Sequence, residues 1–234
     1  MKTQIKIGTI GYPVNEPLLY PHVDVVELQV TRRSVPKSAV GKKIREKAPT
    51  TVQFTIQMPA VFFEPPDSTA KLNGDLGKYG GFQISDEHKR LFERLNRFAD
   101  NLQSDTYILL TPSDFTPTPK MQENLARFLD EMPVGDRTIV WQPSGPWTDT
   151  QTASFAKTHR LTLALDPLRD EAPAGASAYF RLGPFAVMGS RVGIYDLERI
   201  LEAAARFDKA TVVFETDRAL DDVRNLKQVL AENE

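Results

Sequence analysis

The chain has 234 residues, with 29 Lys and Arg against 31 Asp and Glu, a net charge of −2, and no cysteine. The even charge gives no general attraction to nucleic acid or to an anionic membrane, and the lack of thiols excludes disulfides, thiolate metal sites and a cysteine nucleophile. The first residues lack the apolar core of a signal peptide, and no apolar run approaches the roughly 20 residues of a membrane span, which sets the expectation of a soluble, cytoplasmic protein.

From the N-terminus, Ile5–Ile10 reads as a strand that runs onto Gly11. The link that follows holds Pro13, Pro17 and Pro21 and has no helical period, so the first crossover is expected to be short or irregular. Val23–Leu28 is the second strand, and a helix over 38–47 follows Pro36 and stops before Pro49. The third strand, Val52–Ile56, opens into the longest break in the chain, Pro59–Ser85, which is rich in Pro and Gly and carries Phe62, Phe63 and Phe82. Connections of that length are usually functional or disordered, and the aromatic residues predict an ordered lid. Ser85, Asp86 and Glu87 cap and charge the start of a helix whose Leu91, Phe92, Leu95, Phe98, Ala99 and Leu102 make one apolar stripe. Tyr107–Leu110 is the fourth strand, Pro119–Glu131 a helix, and Thr138–Trp141, Leu161–Leu165 and Ala178–Leu182 are strands five to seven. A helix over 196–207, a strand at Thr211–Phe214 and a terminal helix built on Leu220, Val223, Leu226 and Leu230 complete the chain.

Strands alternating with helical or loop segments predict a parallel sheet with covered faces. Eight of them in a single domain, 1–234, predict a TIM-like (β/α)8 barrel with an irregular first crossover and a long loop after strand three. The C-terminal strand ends of such a barrel form its active face. A polar or ionisable residue closes nearly every run here, so Glu27 with Gln29, Gln57, Gln142, Asp166, Arg181 and Glu215 are expected to converge on one mouth.

Glu27 lies inside an apolar strand, and a buried carboxylate is costly unless paired. Arg181 is the partner the sequence offers; together they are either catalytic groups or a structural ion pair. Asp166 and Glu215 are candidates for dividing acid and base roles, although Asp166 also suits a cap on the turn it forms with Pro167. Arg32 and Arg33 open a basic run through Lys37, Lys42, Lys43, Arg45 and Lys47. Guanidinium forks there suit an anionic ligand; the other reading of a charge run is a solvated helix face. Gln29, Thr31, Gln57, Gln142 and Trp147 complete the expected substrate contacts. His22, His88 and His159 are scattered and none closes a strand, so no metal and no cofactor is expected.

The order of several short motifs resembles the YecE-like family, also known as domain of unknown function 72. Ile7-Gly8-Thr9 and Gly11 are similar to its opening Ile-Gly-Thr-Ser-Gly, and Val26-Glu27-Leu28-Gln29-Val30-Thr31 to its Val-Glu-Ile-Asn-Ser-Thr. Phe54-Thr55-Ile56-Gln57-Met58-Pro59 resembles Phe-Ala-Val-Lys-Ala-Pro, Pro112 and Phe115 fall in a Gln-Leu-Pro-Pro-Ser-Phe position, Trp147 fits the Trp after Glu-Phe-Arg, Tyr179-Phe180-Arg181-Leu182-Gly183 is similar to Tyr-x-Arg-Leu-His-Gly, and Asn225 fits an Asn-Ala pair. The resemblance covers almost the whole chain and implies a divergent member with a TIM-like barrel whose family activity is not established. Gln57 stands where the family has Lys, Phe63-Glu64 where it has Thr-His, Val140-Trp141-Gln142 where it has Glu-Phe-Arg, Glu215 within its Phe-Asn-Asn, and Arg32-Arg33 where it has Phe-Tyr; the His after Arg-Leu is missing. Two functions follow as expectations: an enzyme acting on a small polar or anionic substrate, or a non-catalytic barrel binding an anionic ligand or nucleic acid.

Overall fold

Apolar runs become strands here wherever both faces can be covered. In the computed structural model, which describes residues 3–66, 72–170, 175–183 and 192–233, β1 (Gln4–Ile10) is followed by a four-residue helix α1 (Glu16–Leu19) and by β2 (Val25–Leu28). All four β2 residues are buried, as expected of parallel strands covered on both sides. Then come α2 (Val30–Arg33), α3 (Ser38–Lys47), β3 (Gln53–Gln57), α4 (Asp86–Leu102), β4 (Thr106–Leu110), α5 (Pro119–Glu131), β5 (Thr138–Gln142), α6 (Asp149–Thr158), β6 (Thr162–Leu165), β7 (Gly175–Leu182), α7 (Ile194–Ala204), β8 (Phe207–Phe214) and α8 (Ala219–Glu232). The strands hydrogen-bond in the order β1-β2-β3-β4-β5-β6-β7-β8 as a closed barrel. β8 lies parallel to β1, with Gln4 opposite Lys209 and Thr9 opposite Phe214. The fold is the (β/α)8 barrel that the alternation of elements predicts, and α1 makes its first crossover irregular.

The chain divides into two compact units. One comprises Met1–Leu28, Ala48–Phe54 and Ala164–Glu234. Its core holds Ile7, Val26, Phe180, Val212 and Phe214 with Ile200 of α7 and Val223 and Leu226 of α8. Gly8 is required where β1 meets β2: a Cβ there would lie 1.8 Å from the Val25 carbonyl oxygen.

The other unit comprises Gln29–Lys47 and Thr55–Leu163. The expected stripe of α4 is buried, and Ser85 caps the helix by accepting from the His88 N–H at 3.1 Å. The segment after β3 begins and ends in packed stems. Gly80, Gly81 and Phe82 donate to the carbonyls of Val61, Phe63 and Phe62 at 2.8, 2.9 and 2.8 Å. Phe62 meets Phe92 and Phe128 at ring distances of 5.5 and 5.1 Å. The middle of the expected lid, 67–71, lies outside the described residues.

Three local features differ from the sequence reading. Helix α6 occupies a stretch whose helix bounds the sequence leaves open, because its buried set is only Thr152, Phe155 and Ala156 and its strongest signal is a capping box between Thr148 and Gln151. Helix α7 stops at Ala204 rather than 207, and β8 starts at Phe207, where the side chain packs against Phe180 at 6.0 Å. Helices α1 and α2 are a single turn each, too short to show a period. Among the described residues no helix is long and apolar enough to cross a membrane.

Candidate functional site

Strand alternation builds a buried charge cluster. Tyr179 and Arg181 are two residues apart on β7 and so share a face. Both reach Glu27 at the end of β2: the Tyr179 hydroxyl donates to Oε2 at 2.9 Å, Arg181 Nε donates to Oε2 at 3.1 Å and Nη2 to Oε1 at 2.9 Å. The Glu27 side chain is fully buried and that of Arg181 is 5% exposed. This is a two-point guanidinium–carboxylate pair, the geometry that best repays burial of charge. Burial pulls the Arg181 pKa down, but the charge and hydrogen bonds of Glu27, with Tyr179 and Glu215, outweigh it and hold the guanidinium above the ordinary arginine value.

Glu215 follows β8 and brings a second carboxylate to the same guanidinium, 3.7 Å from Arg181 Nη2. Its backbone is pinned: its N–H donates to the Leu182 carbonyl at 2.7 Å, and a Cβ on Gly183 would come within 2.7 Å of the Glu215 carbonyl oxygen. Gly183 also has φ +92°, a conformation open to glycine. Glu215 is 31% exposed at its side chain, so water or a ligand reaches it while Glu27 is sealed. The Glu27–Arg181 pairing expected from the sequence is therefore present, with Glu215 beside it. Tyr179 and Gly183 are the members that the sequence reading missed. The signals were the even spacing of Tyr179 from Arg181 and, for both Tyr179 and Gly183, their place in the segment that resembles Tyr-x-Arg-Leu-His-Gly.

Asp166 sits elsewhere. Its Oδ1 accepts from the Leu168 N–H at 3.0 Å and its Oδ2 lies 3.4 Å from Arg169 Nε, so it caps its own turn. Burial raises its pKa, opposed by the Leu168 N–H and Arg169.

The other expected contacts lie in the second unit. Thr31 donates to the Gln57 carbonyl at 2.6 Å and ties α2 to the end of β3, where Gln57 is buried. Gln29 is exposed at the start of α2, and Arg33 is exposed at its end. Arg32 is half-buried against Glu64, at 3.3 Å, and over the Phe63 ring, at 5.8 Å. Gln142 is half-buried, and its carbonyl accepts from Thr111 at 3.3 Å. Trp147 stacks on Phe115 at 5.7 Å and donates to the Phe115 carbonyl at 3.1 Å, which makes it a packing residue. On α3, Lys42 and Lys43 are exposed, and Lys42 faces Glu46 at 3.8 Å. Among the described residues no three His, Asp or Glu side chains group closely enough to hold a metal ion. A cavity of about 250 Å³, lined by Ile5, Ile7, Asp24, Lys227, Leu230 and Ala231, contains none of the candidate residues.

No protein-family model and no curated protein matches the chain. Solved structures do. A DUF72 family protein from Enterococcus faecalis superposes with a TM-score of 0.68 at 12% identity, over 97% of this chain and 96% of that one. A DUF72 family protein from Thermotoga maritima gives 0.65 at 15% identity, over 97% and 99%. A xylose isomerase domain containing protein from Salmonella typhimurium gives 0.58 at 13% identity, over 99% and 97%. At these identities the likeness is one of fold: this chain has the barrel of the DUF72 proteins, which its ordered motifs resemble.

Proposed function

We propose that the protein is an enzyme acting on a small, uncharged polar substrate at the ends of β7 and β8, with Glu215 as the proton-transferring group. The observation that carries this is the division of labour around Arg181. Glu27 has both oxygens engaged and no exposure, so it serves as a positioning group, with Tyr179, for the guanidinium. Glu215 is the carboxylate that solvent reaches, and it faces a guanidinium that cannot swing away. A pre-oriented cation beside a reachable carboxylate is the arrangement proton transfer needs. Among the described residues two carboxylates face this one guanidinium, which favours a hydroxylated neutral substrate over an anion. Sugars and polyols are the first compounds to try, a choice suggested by the names of two structural neighbours with xylose isomerase domains.

The test is a thermal-shift panel of sugars, polyols and hydroxy acids, followed by incubation of each stabilising compound in D2O with NMR detection of product or of incorporated deuterium. Neutral hydroxylated compounds are expected to raise the Tm. Glu215→Gln is expected to keep that binding and lose turnover. Binding without any chemistry, equal in wild type and Glu215→Gln, would instead establish a non-catalytic barrel.

A further inference from the structure

We infer that Arg32 is the gripping residue of a second site, for a small carboxylate, and that Glu64 is its built-in occupant. This goes beyond the Glu215 reading and stands without it. Thr31 fixes the neighbouring backbone through its 2.6 Å bond to the Gln57 carbonyl, so Arg32 leaves a set position. Its guanidinium lies over the Phe63 ring, and Phe63 is itself buried. A guanidinium offers paired N–H groups that fit the two oxygens of a carboxylate. Here a single contact is made, from Nη2 to Glu64 Oε1 at 3.3 Å. The other terminal nitrogen, Nη1, is shut off from solvent and finds no acceptor among the described residues. Buried donors are nearly always paired, and an exception calls for a cause such as a ligand site. The pair with Glu64 thus shows that a carboxylate enters this place and that this one uses half of what Arg32 offers.

Glu64 is also placed to leave. Its side chain is 42% exposed and that of Arg32 is 34% exposed, so their attraction is screened and weak. Its backbone, in contrast, is held: Glu64 N–H donates to the Ala60 carbonyl at 2.7 Å, and a Cβ on Gly80 would meet the Glu64 carbonyl at 3.1 Å. Rotation of the Glu64 side chain frees Nη2 with no movement of the main chain. A ligand carboxylate that approaches both terminal nitrogens gains the two-point pairing that Glu64 lacks.

The probe is acetate, titrated at constant ionic strength while the side-chain Nε–H resonance of Arg32 is followed by NMR, with inorganic phosphate as the comparison. Acetate is expected to shift the resonance saturably in the wild type. Glu64→Gln removes the internal competitor and is expected to tighten acetate binding about fivefold, the scale of one exposed ion pair. Arg32→Lys keeps the charge, loses the fork and is expected to abolish saturable binding, followed through backbone amides of 61–64, with the circular dichroism of the wild type retained. Equal affinity in wild type and Glu64→Gln, or unchanged binding in Arg32→Lys, overturns the proposal. Phosphate binding as tight as acetate overturns the assignment to carboxylates.

Discussion

Arg181 and Arg32 each face a glutamate, yet the two pairs are different objects. Arg181 meets Glu27 through two nitrogens, at 2.9 and 3.1 Å, with exposures of 5% and 0%. Arg32 meets Glu64 through one nitrogen at 3.3 Å, with exposures of 34% and 42%. Geometry and burial, not residue type, separate them. A sealed two-point pair is expensive to disturb, because either charge left alone is stranded in a poor solvent. An exposed one-point pair has water as a ready substitute. The first therefore suits a scaffold that must not move under chemistry, and the second suits a contact that a ligand exchanges.

The largest effect expected from this contrast is in Glu27→Ala. It takes from Arg181 its two-point partner and from Tyr179 its carboxylate acceptor, leaving Glu215 at 3.7 Å as the remaining carboxylate beside the guanidinium, and urea unfolding should show a loss of about 3 kcal/mol. Replacing both charges, Glu27→Leu with Arg181→Met, should cost less than Glu27→Ala alone, since no buried ion is then left over. If the double variant is the less stable, the pair contributes more than it costs to desolvate, and its role is stability. Next comes Tyr179→Phe, which removes one hydrogen bond to a charged acceptor and leaves the ring; about 1.5–3 kcal/mol is expected in the same measurement. A neutral outcome would mean that Arg181 alone satisfies Glu27.

His88 sharpens the comparison as a polar group buried without a counter-ion. It is fully buried among Phe62, Tyr79 and Phe128, at ring distances of 5.2, 5.4 and 6.1 Å. Its Nδ1 lies 2.6 Å from the Gln83 carbonyl and its Nε2 3.0 Å from the Val61 carbonyl. Burial lowers its pKa, against the pull of those two carbonyls and of Glu87. The folded state then binds fewer protons than the unfolded chain as pH drops below the ordinary histidine value of about 6.5. Stability from this group is complete above that value and is lost as pH falls from it toward the lower folded-state pKa. Unfolding compared at about pH 7.5 and about pH 5 should show a larger acid loss for wild type than for His88→Gln. A smaller loss in wild type would mean that both carbonyls bind an imidazolium.

Much of this was legible in the sequence. Eight apolar runs separated by helical segments define the barrel, because a parallel strand buried on both faces has to be apolar along its length. Glu27 stood out for the same reason, as a carboxylate inside such a run, and Arg181 was the cation at another strand end. Tyr179 was readable by alternation from Arg181, and it stands in the segment that resembles Tyr-x-Arg-Leu-His-Gly. For Asp166 the turn with Pro167 was legible, and its carboxylate accepts from the Leu168 N–H of that turn. The Arg32–Glu64 contact was not readable, since it depends on how the stems of 59–66 and 72–85 fold, and no periodicity specifies that. The bounds of helix α6 were not legible because a short buried set gives no stripe, while its capping box was visible at Thr148 and Gln151.

The smallest expected effect is the most discriminating. Glu64→Gln breaks the exposed pair but keeps a polar side chain of the same length, and its backbone contacts to Ala60 and the packing of Gly80 do not involve the carboxylate. Its unfolding free energy should stay within about 1 kcal/mol of wild type, in either direction. The sign is informative. Arg32 has a buried nitrogen with no acceptor among the described residues, so an uncharged neighbour leaves the guanidinium less satisfied, and a small loss is expected at low salt. Raising the salt concentration weakens the pair in wild type and should shrink that loss toward zero. A loss of several kcal/mol that salt does not reduce would place Glu64 with Glu27, as a fixed partner of its arginine, and the contrast between an immovable and an exchangeable pair would not hold.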